Sequence, residues 1–481
     1  MAASFYFYDL ETSGFDPRTQ RIMQFAGQRT DMDLNPIGEP HNILIKLTPE
    51  IAPDPDAILV TGITPQTTLA DGATEAEFLK IFYDEVVQDD TTFLGYNSVR
   101  FDDEFMRFLH YRNFYDAYEW QWCDGCSRWD LLDVVRMTRA LRPEGIEWPF
   151  ASDGKPTNRL ELLTKLNKLD HQNAHDALSD VYATIAVAKL IHDKQPDLFQ
   201  YLLKMRGKKE IKKLVDEGQP FVYSSGKYPS EFEKTTVVAP VTPHPKKQGA
   251  LVFDLRHDPD EFTKLSVAEL VERWKWMKEP DTPRLPVKTM QFNKCPAVAP
   301  LGVLKSGGAM ERIKIDMDTV KMNYAKLKAA KDFPGKLLEA LEIMDKKQQT
   351  SWLTDEQNVD GQLYDGFIGD EDKKTSRAIR AAEPEKLDTW AEKLRDDRLK
   401  QLLPLYKARN YPHKLSTDER RTWEAFCKQR LLSGSQNSRL AKFFDRLQTL
   451  AADPKLTGEK QYLLEELQLY GQSIMPIVEE E

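Results

Sequence analysis

The spacing of apolar and polar positions changes twice along the chain, and each change predicts a domain boundary. In residues 1–195, strand and helix signals alternate. Four short apolar or aromatic runs have the length of β-strands: 4–11, 23–28, 43–47 and 92–97. Apolar residues at helical spacing follow in two places, from Asp102 onward and over 179–190. This alternation predicts an α/β layer domain.

Residues 196–350 have a different pattern. Short β-type pieces are separated by proline and glycine turns, at 220–224, 235–241, 250–255 and 287–292. Between the third and fourth pieces, Ser266 and Glu269 have the spacing of a capping box, which opens a helix. The segment is predicted to be a small β-barrel that carries a helical insertion.

Residues 351–481 are predicted to be helical. Apolar residues recur at helical spacing over 387–406, and Ser416 caps the next helix. Two more helices are expected near 436–451 and 457–472. The predicted fold class is therefore an α/β domain followed by a β-barrel domain and a helical C-terminal domain.

Composition narrows the class of protein without deciding its function. The 481 residues are 41% hydrophobic and 30% charged, which is ordinary for a soluble globular protein. No run of roughly 18 apolar residues occurs, so no membrane span is expected. The N-terminus lacks the layout of a signal peptide, and four cysteines in this length give no disulfide framework. We expect a monomer in the cytoplasm.

The charge distribution leaves a nucleic-acid partner open. The net charge of −10 argues mildly against such a partner, but phosphate binding depends on a local basic track, and a metal site itself adds acids. Six basic residues lie within 204–213 and are broken by one acid, Glu210. Two interpretations of this basic cluster stay open: the wall of a nucleic-acid groove, or a solvated helix face.

Two cysteines, Cys123 and Cys126, have the spacing of a redox C-x-x-C motif. A thioredoxin-type site would lie between a strand and a helix near the start of a small βαβ domain, whereas aromatic and charged residues surround this pair. A zinc site would need two more ligands at comparable spacing, and Cys295 and Cys427 are remote. Two reduced thiols are the favoured interpretation.

The first predicted strand carries two carboxylates, Asp9 and Glu11. Residues two apart on a strand point to the same face, so the two carboxylates are presented together. Neighbouring carboxylates repel each other unless a positive charge lies between them. A divalent cation meets this need, and hard oxygen ligands suit magnesium or manganese.

Three further residues extend this set: Asp102, His175 and Asp180. Asp180 lies in the first turn of a predicted helix, and His175 precedes it by five residues. Side chains five residues apart on a helix point about 140° away from each other around its axis. His175 can therefore reach the same site as Asp180 only if it lies in the preceding loop or the first turn. A partly solvated histidine there suits a proton acceptor near neutral pH. Each residue alone has an ordinary structural explanation. Four acids and a histidine together fit two-metal phosphoryl chemistry.

These five residues match the DEDDh group of 3′→5′ exonucleases, as Asp9-x-Glu11, Asp102 after a Tyr-Asn turn, and His175-x4-Asp180. Longer stretches resemble the bacterial exonuclease I family: 61–65, 95–104, 127–133, 142–145, 173–177, 293–296, 358–360, 362–364 and 408–410. The resemblance covers nearly the whole chain. It implies an RNase H-like exonuclease domain over 1–195, an SH3-like barrel over 196–350 and a helical C-terminal domain over 351–481.

The resemblance also implies an activity: processive degradation of single-stranded DNA from the 3′ end to 5′-mononucleotides, in DNA repair and recombination. Asp9, Glu11 and Asp180 would hold two magnesium ions, for which manganese is a substitute. Asp102 would complete the second metal site, and His175 would take a proton from the attacking water. Asp102 is favoured over Asp103 because it matches the first acid of the family's Phe-Asp-Asp.

The segment 105–145 is dense in aromatic residues and arginines. Aromatic faces stack bases at about 1–3 kcal/mol each without reading sequence, and arginines neutralise phosphates, so the segment suits a single strand. Some of these aromatics are expected in the core instead. The resemblance favours these residues as substrate contacts, with Arg159 near the terminal nucleotide: Glu11, Arg107, Tyr118, Trp122, Arg136 and Arg159.

A protein partner is implied as well, the acidic C-terminal tail of single-stranded-DNA-binding protein. Arg142, Tyr201 and Lys305 occupy the matching places. Lys305 stands where an arginine is expected, and a lysine does not pair bidentately with a carboxylate.

Three alternatives remain at this point. The nearest is an RNA-trimming enzyme of the same group, which would cleave RNA oligomers at a comparable rate. The second is a catalytically silent binding or scaffold protein, which the presence of all five site residues opposes. The third is a redox protein that uses Cys123 and Cys126.

Overall fold

The computed structural model describes residues 3–169, 176–275, 282–352, 358–434 and 437–475, without the side chains of 347–352. Within these residues the three predicted parts appear in order: a mixed α/β domain, a five-stranded antiparallel sheet with inserted helices, and a bundle of helices. None of the described helices is both long enough and apolar enough to cross a membrane.

The first domain is built on a five-stranded sheet of order β3-β2-β1-β4-β5. Its strands are β1 (Ser4–Thr12), β2 (Ile22–Thr30), β3 (Pro36–Leu44), β4 (Thr91–Gly95) and β5 (Ser127–Asp130). The strands β1, β4 and β5 are parallel, whereas β2 and β3 are antiparallel to their neighbours. The helices are α1 (Pro55–Thr61), α2 (Pro65–Asp71), α3 (Glu75–Ile81), α4 (Asp102–Arg112), α5 (Leu131–Leu141), α6 (Leu160–Leu166), α7 (Ala177–Lys194) and α8 (Pro196–Met205).

The central strand β1 is buried on both faces, which explains its run of aromatics. Phe5 and Phe7 belong to the core formed with α5 and α7, whereas Tyr6 and Tyr8 belong to the core formed with α3 and α4. Because side chains alternate along a strand, the odd-numbered residues of β1 point toward α7. This alternation places the two acids of β1 on the α7 side of the sheet.

The second domain has five antiparallel strands in the order β10-β6-β7-β8-β9. They are β6 (Phe221–Ser224), β7 (Thr235–Pro243), β8 (Gly249–Asp254), β9 (Val287–Gln291) and β10 (Ala297–Pro300). The helix α9 (Lys208–Asp216) precedes them, α10 (Asp260–Thr263) and α11 (Val267–Trp274) lie between β8 and β9, and three helices follow: α12 (Ala309–Arg312), α13 (Met317–Ala329) and α14 (Phe333–Trp352). The predicted capping box at Ser266 and Glu269 opens α11.

The third domain consists of helices that cover part of the first. They are α15 (Asp370–Ala381), α16 (Asp397–Asn410), α17 (Thr417–Leu432), α18 (Arg439–Ala451) and α19 (Gly458–Ser473). The helices α18 and α19 pack on α1 and α2, with Leu447, Leu467 and Tyr470 buried against Ile51 and Ile58. The C-terminal domain is thereby held directly on the first, α/β domain.

A buried ionic cluster joins the first and third domains. The Asp360 carboxylate accepts hydrogen bonds from Arg21 (2.7 Å), Arg409 (2.8 Å from each of two nitrogens) and Arg430 (2.8 Å). Arg409 also donates to Glu50 at 2.9 Å, and all five residues are nearly inaccessible to solvent. Burial alone would raise the pKa of Asp360, but the guanidinium groups of Arg409, Arg21 and Arg430 hold it well below the usual value.

Some predicted elements were wrong in extent. A continuous helix over 387–406 is absent, because a 3-10 segment (Pro384–Lys393) ends there and α16 begins at Asp397. The Asp372 carboxylate accepts from the backbone N–H groups of Arg395 (2.7 Å) and Asp396 (3.1 Å), which replaces the helical hydrogen bonds at the break. The strand expected at 43–47 lies earlier in the chain, as β3. The strands β5 and β10 were not predicted.

Candidate active site

Asp9 and Glu11 lie near the carboxyl end of β1, beyond the stretch that pairs with β4. The parallel pairing of β1 with β4 runs only from Ser4 to Phe7, whereas Asp9 and Glu11 pair on their other side with Ala26 and Gln24 of β2. The gap beside β1 leaves room for side chains from other elements. The sheet therefore presents both carboxylates at the edge where β1 and β4 separate.

Helix α7 supplies the third carboxylate. Asp176 caps this helix by accepting from the backbone N–H of Ser179 at 3.2 Å, which places Asp180 in the first turn. One ligand oxygen from each of Asp9, Glu11 and Asp180 lies within 4.8 Å of the others. The structure thus brings together three of the four acids that the sequence predicted as metal ligands.

Asp102 begins α4 and faces the same acids from the β4 side. It is buried, and burial followed by the charge of Asp9 raises the pKa of its carboxyl well above the usual value. It is not part of the 4.8 Å group found among the described residues. Its neighbour Asp103 accepts a 2.5 Å hydrogen bond from the Tyr8 hydroxyl and pairs with Arg128 and, at 3.6 Å, with Arg107. Asp103 is therefore engaged in a structural network.

The loop that delivers Asp102 is fixed by a residue that the sequence analysis did not single out, Asp130 at the end of β5. Its carboxylate accepts from the backbone N–H groups of Asn97 (3.0 Å), Val99 (3.2 Å) and Leu132 (3.0 Å). At the start of this loop, a Cβ on Gly95 would lie 2.6 Å from the carbonyl oxygen of Tyr8, so only glycine fits there. Asp130 could have been recognised in the sequence as an aspartate that ends a strand and caps the helix that follows it.

The acids of the site repel one another in the absence of a cation. Burial, and then the charges of Asp180 and Asp176, raise the pKa of Asp9 well above the usual value. Burial, and then Asp9 and Asp180, raise the pKa of Glu11 to about 9. Carboxylates at this spacing that are largely shielded from solvent fit hard divalent cations such as magnesium or manganese. The predicted proton acceptor, His175, lies outside the described residues.

A cavity of about 520 Å³ opens beside the acids. Asp9 and Asp180 line it on one side, and two of the predicted substrate contacts, Arg136 and Arg159, line it on another. The second domain contributes Ser230 and Lys234 to the same cavity, and no local sequence pattern indicated either of them. A cavity of this size with carboxylates on one side and guanidinium groups on another suits a nucleotide bound with its metal ions.

The remaining predicted strand contacts lie in two settings. Tyr118 and Trp122 are 40% and 64% exposed and line a separate cleft of about 570 Å³. Tyr364 and Phe367 of the C-terminal domain line the same cleft. Arg107, by contrast, is buried and donates to Glu104 (2.6 Å) and Gln121 (3.1 Å).

The predicted partner-tail residues lie on neighbouring elements. The Arg142 guanidinium donates to the carbonyl oxygens of Val303 (3.2 Å) and Ser306 (3.3 Å), so it contacts the loop that carries the exposed Lys305. Tyr201 lies on α8. This helix packs on α5, which ends at Leu141, the residue before Arg142. Burial raises the pKa of Tyr201 to about 12, and its hydroxyl is protonated at neutral pH.

The two cysteines of the C-x-x-C motif are free thiols. The Cys123 thiol donates to Asp124 at 3.0 Å, and this hydrogen bond raises the pKa of Cys123 to about 11. Burial raises the pKa of Cys126. Reactive cysteines have lowered pKa values, so the arrangement favours the reduced-thiol interpretation over a redox site.

Three family models match the chain in succession. The model described as Exonuclease matches residues 6–188, the Exonuclease I SH3-like domain matches 206–342, and the Exonuclease I C-terminal domain matches 357–474. These ranges fall inside the predicted segments 1–195, 196–350 and 351–481, whose boundaries stay a prediction. The predicted classes, RNase H-like, SH3-like and helical, are confirmed.

Relatives resemble the chain over nearly its full length. Exodeoxyribonuclease I of Haemophilus influenzae is 41% identical over 475 residues, which cover 97% of this chain and 98% of the relative. The solved Exonuclease I of Methylocaldum szegediense has a TM-score of 0.91 at 41% identity, covering 98% of this chain and 100% of that one. Escherichia coli Exonuclease I in complex with a dA16 oligonucleotide has a TM-score of 0.91 at 37% identity, with the same coverage.

Two other solved structures of similar chains contain further molecules. One is a zinc-bound complex of E. coli Exonuclease I with single-stranded DNA, with a TM-score of 0.91 at 37% identity, covering 98% of this chain and 100% of that one. The other is SSB/Exonuclease I in complex with an inhibitor, with a TM-score of 0.87 at 37% identity, covering 99% and 100%. With three domain models matched in order and relatives aligned from end to end, this chain belongs to the exonuclease I family.

Proposed function

We propose that this protein is an exonuclease that degrades single-stranded DNA from the 3′ end and releases 5′-mononucleotides. The observation that carries the proposal is the group of buried Glu11 with partly buried Asp9 and Asp180, whose oxygens lie within 4.8 Å of one another beside a nucleotide-sized cavity. Relatives aligned over the whole chain are exodeoxyribonucleases, and one was solved with a dA16 oligonucleotide. Both observations support hydrolysis at a single-stranded end.

The roles of the site residues follow from their chemistry. Asp9, Glu11 and Asp180 would hold two magnesium ions, with Asp102 completing the second site and manganese as a substitute; a zinc-bound relative supports a divalent metal here. When bound, such ions activate a water and stabilise a leaving oxygen. His175 would accept the proton of that water. Asp103 has no part in this chemistry, because its carboxylate is bound to Tyr8 and Arg128.

The strand would be held on both sides of the catalytic acids. Arg136 and Arg159 line the catalytic cavity, where they would bind phosphates of the terminal nucleotides. Tyr118 and Trp122 offer exposed rings on which bases would stack. Arg107 would act mainly by supporting Tyr118, since its guanidinium lies 5.3 Å from the centre of that ring.

Processive action is part of the proposal. The aromatic cleft is walled by the first and third domains together, and the catalytic cavity by the first and second. A strand passing between such walls slides more readily than it dissociates. For the basic cluster of 204–213, both interpretations stay open, the wall of a nucleic-acid groove and a solvated helix face. A role in DNA repair and recombination follows from this activity, and the monomeric state and cytoplasmic location stay predictions.

The proposed protein partner is the acidic C-terminal tail of single-stranded-DNA-binding protein. The similar E. coli chain solved with SSB supports this assignment. Arg142, Tyr201 and Lys305 would form the site, with Lys305 giving a point-charge contact to a carboxylate. A Lys305→Arg variant is expected to bind a tail peptide more tightly, because a guanidinium pairs bidentately with a carboxylate.

The test of the proposed function is digestion of a single-stranded oligonucleotide labelled at either end, with magnesium and with EDTA. Immediate release of a labelled mononucleotide from the 3′ label, and conversion of the 5′-labelled strand to short end products with few intermediate lengths, are expected with magnesium only. Asp9→Ala should abolish both, whereas Asp33→Ala, which removes an exposed aspartate away from the site, should not.

Absence of cleavage by a folded sample would overturn the proposal in favour of a binding protein, and cleavage that persists in EDTA would overturn the metal-ion chemistry. An RNA oligomer of the same sequence provides the second arm of this experiment. Cleavage of RNA at a comparable rate would favour the RNA-trimming alternative, and cleavage that is lost on thiol alkylation would favour the redox alternative.

A further inference from the structure

We propose that Lys234 of the second domain binds a phosphate of the substrate strand inside the catalytic cavity, so that the SH3-like domain completes the nuclease site. The inference rests on the proposed function. Lys234 and Ser230 line the same cavity as the acids Asp9 and Asp180. Both residues belong to the segment between β6 and β7, which therefore reaches across the domain boundary to the reaction centre.

The backbone at this point is held in an uncommon conformation. Glu233 and Lys234 both have positive φ angles, 52° and 55°, a region that favours glycine. The turn is closed by the N–H of Lys234, which donates to the carbonyl of Pro229 at 3.1 Å, and by the N–H of Ser225, which donates to the carbonyl of Lys234 at 2.9 Å. Two consecutive residues in this region indicate a conformation that surrounding contacts impose, and such sites often serve binding.

An ion pair between domains fixes the turn relative to the cavity. The Glu233 carboxylate lies 2.7 Å from Nε of Arg139 on α5. Arg139 also donates to the carbonyls of Pro149 (2.9 Å) and Thr157 (2.6 Å), and Thr157 lines the catalytic cavity. Glu233 thus anchors the residue next to Lys234 to the cavity wall itself.

The charges around Lys234 favour binding of an anion. Burial and then the charge of Arg136 lower the pKa of Lys234, so two cations face one another. Asp133 pairs with Arg136 at 2.5 Å, whereas Lys234 has no ion pair within the part of the chain that the structure describes. The second domain also packs directly on Arg136, since a Cβ on Gly226 would lie 2.9 Å from its Nη2. A phosphate between Lys234 and Arg136 would neutralise this excess of positive charge.

Two phosphates of the substrate have this chemistry: an internal phosphodiester next to the terminal nucleotide, and a phosphate group on the 3′ end itself. Oligonucleotides of one sequence ending in a 3′-hydroxyl or a 3′-phosphate distinguish them. A loss of equal size on both substrates assigns Lys234 to the internal phosphodiester. A larger loss on the 3′-phosphate substrate assigns it to the terminal phosphate.

The experiment compares Lys234→Met with Lys246→Met in the full-length protein. Lys246 is a lysine of the same domain that pairs with Asp345 and does not line the cavity. Binding of a fluorescent oligonucleotide is measured in calcium, and KM and kcat are measured in magnesium. Lys234→Met should raise Kd and KM roughly tenfold with kcat little changed, and should reduce the slope of log Kd against log salt by about 0.7. Lys246→Met should match the wild type.

A second variant, Glu233→Gln, keeps the lysine but removes its anchor. It should raise KM by a smaller factor, and Lys234→Arg should restore most of the affinity. Wild-type Kd, KM and salt dependence in Lys234→Met, or equal losses in Lys246→Met, would overturn the inference. An unchanged melting temperature of Lys234→Met excludes loss of fold. Because binding is measured without cleavage, failure of the proposed activity in the wild type would be seen separately.

Discussion

The Tyr8 hydroxyl donates a 2.5 Å hydrogen bond to the carboxylate of Asp103. The two residues are the chain neighbours of Asp9 and Asp102, which lie at the candidate active site on the same two elements, β1 and α4. The bond therefore ties the strand to the helix at the level of the acids that we propose as metal ligands. Its position indicates that Tyr8 and Asp103 set the separation of Asp9 from Asp102.

Removal of this hydrogen bond should lower catalysis without removing a metal ligand. We expect Tyr8→Phe to lower kcat by about tenfold, a value typical of residues that orient ligands, and Asp102→Asn to lower it by at least about 100-fold. The matched control is Tyr6→Phe, on the same face of β1, whose hydroxyl is 3.0 Å from Nδ1 of His41. Both tyrosine variants should lose about 1 kcal/mol of stability, but only Tyr8→Phe should lose activity. Equal kcat values would contradict the positioning role.

Metal binding should stabilise the protein more at high pH than at low pH. Burial and neighbouring acids raise the pKa of Glu11 to about 9 in the metal-free protein, so its proton is bound more tightly in the folded than in the unfolded chain. Stability without metal should therefore fall as pH rises from about 5 toward 9. Magnesium, which binds the deprotonated carboxylates, should reverse this loss.

The measurement is the melting temperature in EDTA and in magnesium at several pH values. The difference between the two conditions should widen with pH, and Glu11→Gln should flatten the EDTA curve. A magnesium effect that is independent of pH would contradict the expectation.

Acid should destabilise the first domain through a buried histidine. Burial lowers the pKa of His110 to about 4, since its ring packs among Phe82, Tyr83 and Trp120. The unfolded chain binds this proton more tightly, so stability should fall by about 3 kcal/mol as pH drops from about 6.5 to 4. Denaturant unfolding at pH 7 and pH 4.5 measures this fall. His110→Phe should reduce it, and an unchanged pH dependence would show that other groups are responsible.

The ionic cluster around Asp360 should be far more important for stability than an exposed ion pair that joins the same two domains. Asp360→Asn leaves buried guanidinium groups without their carboxylate, which should cost about 3–5 kcal/mol. The control is Asp56→Asn, because Asp56 pairs with Arg446 at 2.6 and 2.7 Å at the surface between α1 and α18. Its loss should cost less than about 1 kcal/mol. Similar midpoints of urea unfolding for the two variants would contradict this difference.

Exposed aromatic rings should contribute to binding of a single strand. Trp122→Ala should weaken binding of an oligonucleotide by about 1–3 kcal/mol, the value of one stacked base. Tyr462→Ala, which removes a ring that is 60% exposed on α19, is the control and should have no effect. Fluorescence anisotropy in calcium measures both. A comparable loss in the two variants would indicate non-specific contact rather than stacking.

Periodicity identified the elements well where one local signal was strong. The aromatic run of β1 and the capping boxes at Ser266 and Ser416 reappear in the structure. Short strands such as β5 and β10, four residues each, carry too little periodicity to be found. The break before Asp397 was missed because the group that replaces the helical hydrogen bonds, Asp372, is distant in sequence.

The sequence by itself determined the candidate metal-binding acids, at 9, 11, 102 and 180. It also determined their presentation from a strand and two helix starts, because residue type and local periodicity are encoded locally. Only the tertiary structure decided which groups converge. It separated Asp102 from Asp103 through the Tyr8 contact, placed Asp130 beneath the catalytic loop, and brought Lys234 of another domain into the cavity. Such contacts join residues far apart in the chain, so no local pattern could specify them.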